Sequence, residues 1–230
     1  MKQNTRLLMS TAAVLLVWQL PYGRQLLYPL TLLATYAHEL GHGLTALLMG
    51  FEFDQLYLHA DGSGLAAWRG NPGPVTTALI AAGGLVGPAI VGSALLVLSR
   101  SVRFGRALLA VLALLVAVTV VLWVRNAFGI AYLLAAAVGL GLASKVLSDT
   151  AASFVLHMVA VSLCLSWFSD LDYLFSEHAW VGGTRHPSDT AVMAEALWLP
   201  YWFWGGVVAL FTCSVALLGA AYASRGEKRK

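Results

Sequence analysis

Charge is scarce in this sequence: Asp, Glu, Lys and Arg make up 11% of the 230 residues, against about 25% in an ordinary soluble domain. A chain so poor in charge cannot clothe itself for water. No basic stripe of the kind that tracks a phosphate backbone is present, so a nucleic-acid partner is excluded. Cysteine is also rare, and Cys164 and Cys213 both lie in apolar runs, where a thiol is a small buried hydrophobe rather than half of a disulfide. Repeats, low-complexity tracts and linkers are missing as well. Residues 1–230 therefore read as a single membrane-embedded domain.

Apolar residues fill the space, at 59% of the chain with a mean hydropathy of +0.76. Several runs reach the roughly 20 residues that cross about 30 Å of hydrocarbon, where only helices or closed barrels satisfy their own backbone. The expected fold is an all-α, multi-pass integral membrane protein with about six to seven transmembrane helices. Spans are expected near Leu7–Leu20, Leu26–Met49, Thr76–Leu98, Ala107–Val124, Ala127–Ala143, Ala151–Phe168 and Leu197–Tyr222. The first follows Lys2 and Arg6 like a signal sequence, but its exit LPYG has no small-x-small cleavage pattern, so it reads as retained. Between the second and third spans, GFEFDQLYLHADGSGLAAWRGNPGP is too polar to cross and carries a D-G turn, which predicts a small β-hairpin. Arg100, Arg103, Arg106, Lys145 and the tail RGEKRK fit cytoplasmic anchors. That orientation puts the hairpin outside, yet with seven spans it leaves Lys2 and Arg6 on the wrong face, so one segment is surplus or re-entrant.

Within the second span, YAHELGHGLTALLMGF carries His38, Glu39 and His42. At i, i+4 the two imidazoles share a helix face and can grip one metal ion, while Glu39 is offset toward a water on that metal, as general base. Isolated histidines on helices are mostly packed polar residues. An ionisable group near a bilayer centre costs roughly 2.5–3.5 kcal/mol, however, and three within five positions at metal spacing point to a Zn²⁺ site. Gly41 and Gly43 leave room for a neighbouring helix or an extended substrate backbone. A catalytic zinc needs a third protein ligand. The choices are Asp170, Asp172, Glu177, His178, His186 and Asp189, with His157 inside the sixth expected span and more plausible as a packing contact. Asp170 is preferred because it ends the apolar run VLHMVAVSLCLSWFS; Asp189 is the alternative.

HELGH on an apolar helix, followed by a hairpin containing HADGSG, resembles the site-2 protease group of intramembrane zinc metalloproteases, peptidase family M50. GGLVGP at Gly83–Pro88 and SDTAVMAEALWLP at Ser188–Pro200 look like its M50B-like branch. The resemblance implies cleavage of membrane-embedded protein substrates in a bacterial cell membrane, with His38 and His42 as zinc ligands and Glu39 as base. It also implies a third ligand, an aspartate in an L-D-G setting often preceded by N-x-x-P; neither element is intact here, and SDLDYL at Asp170 and SDTA at Asp189 are the nearest analogues. The hairpin edges Tyr57–His59 and Gly64–Ala67 could clamp an extended substrate by β-addition, or could simply plug the bundle. Two other functions fit the same residues: a metal or proton transporter using the His/Glu cluster as an ion site, and an inactive relative that binds membrane partners. Oligomeric state has no signature in the sequence.

Overall fold

The computed structural model describes residues 3–169 and 171–224. The chain runs α1 (Gln3–Gln19), α2 (Gly23–Leu48), β1 (Glu52–Leu58), β2 (Gly64–Arg69), α3 (Pro74–Leu98), α4 (Gly105–Leu122), α5 (Ala127–Val146) and α6 (Asp149–Ser169). It continues with α7 (Leu171–Leu174), β3 (His178–Val181), β4 (Thr184–Pro187), α8 (Asp189–Leu197) and α9 (Tyr201–Ser224). Among the described residues, five helices are long and apolar enough to cross a membrane: α3, α4 with its preceding turn, α5, α6 and α9. α1 is a shorter apolar helix. The chain is thus a polytopic all-α membrane protein with small antiparallel hairpins. The expected second span is helical as α2, but its polar residues keep it out of that apolar set.

Two elements differ from the sequence expectation. The last span starts later, because Trp198 takes a left-handed conformation at φ 64° and ends α8 ahead of Pro200. The polar stretch before it folds into a second hairpin, β3–β4, paired from His178↔Pro187 to Val181↔Thr184. Its turn is Gly182-Gly183, with φ of 54° and 83°, the positive angles a two-residue hairpin turn needs.

Small residues set how the helices meet. A Cβ on Gly41 would fall on the Gly83 carbonyl, one on Gly84 on the His42 ring, and one on Gly87 would lie 3.0 Å from the Ala37 carbonyl oxygen. GGLVGP is therefore the surface on which α2 lies. Gly43 instead admits the Phe53 ring of β1; both motif glycines serve contacts within the protein. Apolar packing completes the frame. Leu95, Leu96, Leu109, Leu156 and Ala160 form the centre of the bundle, and Phe53, Leu56 and Leu58 seat the first hairpin on Val116, Val120 and Leu133.

A Gly41→Ala variant should lower thermal stability in detergent by about 1–3 kcal/mol, the usual cost of overpacking. Gly139→Ala, where a Cβ meets nothing within 4 Å, should leave the unfolding temperature unchanged or slightly raised.

Candidate metal centre

α2 presents His38, Glu39 and His42 along one helical stretch, and all three line a cavity of about 220 Å³ between α2, β2, α3 and the second hairpin. The fourth polar wall is Asp189. Asp189 begins α8, whose start is held by Ser188: its hydroxyl oxygen accepts the Ala191 amide at 3.2 Å and its O–H donates to the Ser176 carbonyl at 2.5 Å. That cap aims the Asp189 carboxylate into the cavity. Its Oδ2 lies 3.0 Å from His38 Nε2 and 3.3 Å from His42 Nε2, and the two Nε2 atoms are 3.0 Å apart. His38, His42 and Asp189 thus offer three ligand atoms within 4.8 Å of one another.

Neighbouring groups orient this cluster. His42 Nδ1 sits 2.8 Å from the Ile80 carbonyl oxygen. A carbonyl only accepts, so Nδ1 carries a proton, and Nε2 is the nitrogen that faces the cluster, as the donor to Asp189 or, once its own proton is lost, as a metal ligand. The Tyr173 hydroxyl donates to Asp189 Oδ2 at 2.8 Å and accepts the Asp189 amide at 3.1 Å. Burial, then the Asp189 charge, pushes the Tyr173 phenol well above its ordinary range, so it stays a donor. Burial opposes ionisation of Asp189, but the charges and hydrogen bonds of His42 and His38 outweigh it and hold the carboxyl well below the usual carboxylate range. Two imidazole nitrogens and one carboxylate oxygen form a donor set that suits zinc. The residues present fit that ion.

Glu39 is buried beside the cluster and outside it. The Ala66 backbone amide of β2 faces its carboxylate. β2 comes this close because residue 64 is glycine: a Cβ there would lie 2.5 Å from Glu39 Cγ and 2.9 Å from Oε1. Thr35 and Tyr28 of α2 tie down the hairpin turn, donating to the Gly62 and Ala60 carbonyls, each at 2.8 Å. The other side of β1 is closed. Leu56 exchanges backbone bonds with Trp123 and Arg125 at 2.8 and 3.1 Å, and the Asn126 side chain bonds both the amide and the carbonyl of Leu58, at 3.2 and 2.5 Å. Strand addition is thereby blocked at Leu58, within the expected Tyr57–His59 edge. Among the described residues β2 pairs with β1 alone, and its second edge faces the cavity.

Of the possible third ligands, the structure brings Asp189 to the histidine pair; Asp170 lies outside the described residues. Asp172, Glu177 and His178 do not join the cluster. His157 is fully buried in α6, its Nδ1 2.6 Å from the Ser153 carbonyl oxygen. His186 lines the cavity from β4, with Nε2 2.8 Å from Thr184 Oγ1. Three participants escaped the sequence reading: Tyr173, the Ala66 amide and the second hairpin. Only the hairpin had a signal, the alternating HAWV-GG-TRHP.

A family model described as Peptidase M50B-like matches residues 7–219. The chain belongs to the Peptidase M50B-like family. No curated protein and no solved structure matches it. Membership makes the M50B-like chain a membrane peptidase of the site-2 protease kind, in a family whose members are generally zinc metalloproteases.

In this peptidase Asn126→Ala removes both side-chain bonds to Leu58 and leaves that backbone unpaired. The expected loss is about 1–3 kcal/mol, read as a lower unfolding temperature, with faster amide exchange at Leu58 than at Leu56.

Proposed function

We propose that this M50B-like peptidase is a zinc metalloendopeptidase of the HExxH type, built as one membrane-embedded domain that hydrolyses peptide bonds of membrane-embedded protein substrates. His38, His42 and Asp189 hold the metal; Glu39 is the general base. The observation that carries this reading is the convergence of two imidazole nitrogens and a carboxylate oxygen beside a buried glutamate. Zinc bound there supplies a Lewis acid that polarises the scissile carbonyl and acidifies water.

The remaining work falls to the chain. The His42 Nδ1 bond to Ile80 and the Tyr173 bond to Asp189 hold two of the ligands in place. The cavity-facing edge of β2 pairs with an extended substrate segment, which supplies hydrogen bonds that a membrane helix otherwise makes to itself. Leu65 and Trp68 on that strand and Val181 on the second hairpin wall the cavity and limit bulk water around the reacting bond. Glu39 takes a proton from the attacking water onto a carboxylate oxygen and hands it to the departing amine nitrogen. Atoms balance in that sequence: the C–N bond breaks, a C–O bond forms, and the proton ends on the amine.

The test compares purified wild type with Glu39→Gln for bound zinc and for cleavage of candidate membrane substrates. Retained zinc with cleavage reduced by at least about 10²-fold is expected; metal flux that persists while no substrate is ever cut would overturn the proposal. Asp189→Asn should strip the zinc, while Asp170→Asn should keep it, and the reverse pattern would move the third ligand. Tyr173→Phe should keep the fold and weaken zinc affinity about 10–100-fold, measured by competition with a chelator.

A further inference from the structure

Contacts between helix ends sort the bundle into two faces. At one end, Arg6 near the start of α1 donates to Ser153 near the start of α6 at 2.8 Å, and a Cβ on Gly105, where α4 starts, would lie 2.8 Å from the Ser153 amide. At the same end Arg106 donates to the Ser144 and Lys145 carbonyls at the end of α5, at 2.7 and 2.9 Å. Arg100, just past α3, stacks 4.7 Å over the Tyr222 ring near the end of α9. These ends carry Arg6, Arg100, Arg103, Arg106 and Lys145, and in sequence Lys2 and the tail RGEKRK adjoin two of them.

The opposite ends meet near the site. Trp18 at the end of α1 touches Phe168 at the end of α6, with ring centroids 5.8 Å apart. His42 bonds Ile80 near the start of α3, Leu56 pairs with the segment joining α4 to α5, and the Leu174 carbonyl packs on Gly205 near the start of α9. Arg24, Arg69, Arg125 and Arg185 are the basic residues of this half, and Arg69 is paired with Asp54 at 2.6 Å. Among the described residues Lys and Arg stand five to four between the two ends, and in sequence Lys2 directly precedes α1 and the four basic residues of the tail directly follow α9, both at the basic end.

α1, α3, α4, α5, α6 and α9 therefore each run from one end to the other. α2 does not. It leaves α1 at the far end, where a Cβ on Gly23 would strike the Val17 carbonyl. After the first hairpin the chain enters α3 at that same far end. Parity then requires α2 to start and finish on one face, even though its 26 residues could span ~39 Å at about 1.5 Å each.

We propose that α2 is a re-entrant arm, that six helices cross the bilayer, and that the site opens on the face opposite the basic helix ends. Positive charge marks the basic end as cytoplasmic. The site then faces the extracytoplasmic side. With the peptidase reading above, on which this clause rests, the substrates are membrane proteins cut at or near the extracytoplasmic end of a membrane segment. The surplus span in the sequence is α2, and removing it places Lys2 and Arg6 with the other cytoplasmic charges.

Single cysteines in the full-length chain test the arrangement, with the native chain as the labelling blank. Pro21→Cys, Asn71→Cys and Arg185→Cys place thiols in exposed loops or strand of the site face, and Ser148→Cys places one between α5 and α6 at the basic end. A membrane-impermeant maleimide should label the first three in intact cells and the fourth only after permeabilisation. Labelling of Pro21→Cys from the inside, or from neither side, overturns the re-entrant arm; reversal of all four overturns the orientation. Labelling needs no catalysis, so it stands apart from the peptidase reading. Product masses from a single-span substrate then locate the cut: the extracytoplasmic half is expected, and the cytoplasmic half, or no cleavage at all with the labelling as expected, overturns the substrate clause.

Discussion

The close approach of α2 to α3 is the constraint on which the site depends. Glycine at positions 41, 83 and 84 lets the two backbones come near enough for the His42 ring to lie on α3 and reach the Ile80 carbonyl. In lipid no water would satisfy that ring nitrogen, so the bond fixes both the ring's position and its tautomer. Dispersion across this small-residue surface must hold the helices together, since lipid tails are as apolar as the side chains they would replace. An added methyl group in this contact would therefore move a ligand atom as well as loosen the packing.

Around that contact the site is assembled from three distant stretches of chain. α2 brings two imidazoles and Glu39, β2 brings a backbone amide to Glu39, and the segment from Tyr173 to Asp189 brings a carboxylate with its own donor. The two hairpins meet at their tips, where the Gly182 amide donates to Ser63 Oγ at 3.1 Å. Ser63 is in turn held by Asp61, which accepts from its amide and its hydroxyl at 2.9 and 2.6 Å. The polar HADGSG turn is thus a fastening between hairpins. Chemistry that needs water is placed under strands, in a protein otherwise solvated by lipid.

Legibility followed range along the chain. His38, Glu39 and His42 could be read because helical spacing alone puts them together. Asp189 could not be separated from Asp170, since only the fold of α7, β3, β4 and α8 decides which carboxylate meets the histidines. Tyr173 had no signature, because a phenol directly after Asp172 bonds Asp189, sixteen residues on, only through the second hairpin. The crossing helices were legible from their apolar runs. α2 was legible as a helix from its length and apolar content, while the side on which it begins and ends depends on long-range contacts such as Arg6 with Ser153 and Trp18 with Phe168.

The central claim is that His38, His42 and Asp189 together hold zinc in this M50B-like peptidase. X-ray absorption at the zinc edge of the purified protein addresses it directly. The account predicts a nitrogen and oxygen shell at about 2.0–2.2 Å with the outer-shell signature of two imidazoles and no sulfur, reduced by one imidazole in His38→Ala. A sulfur shell at about 2.3 Å, or a spectrum unchanged by that substitution, would contradict it.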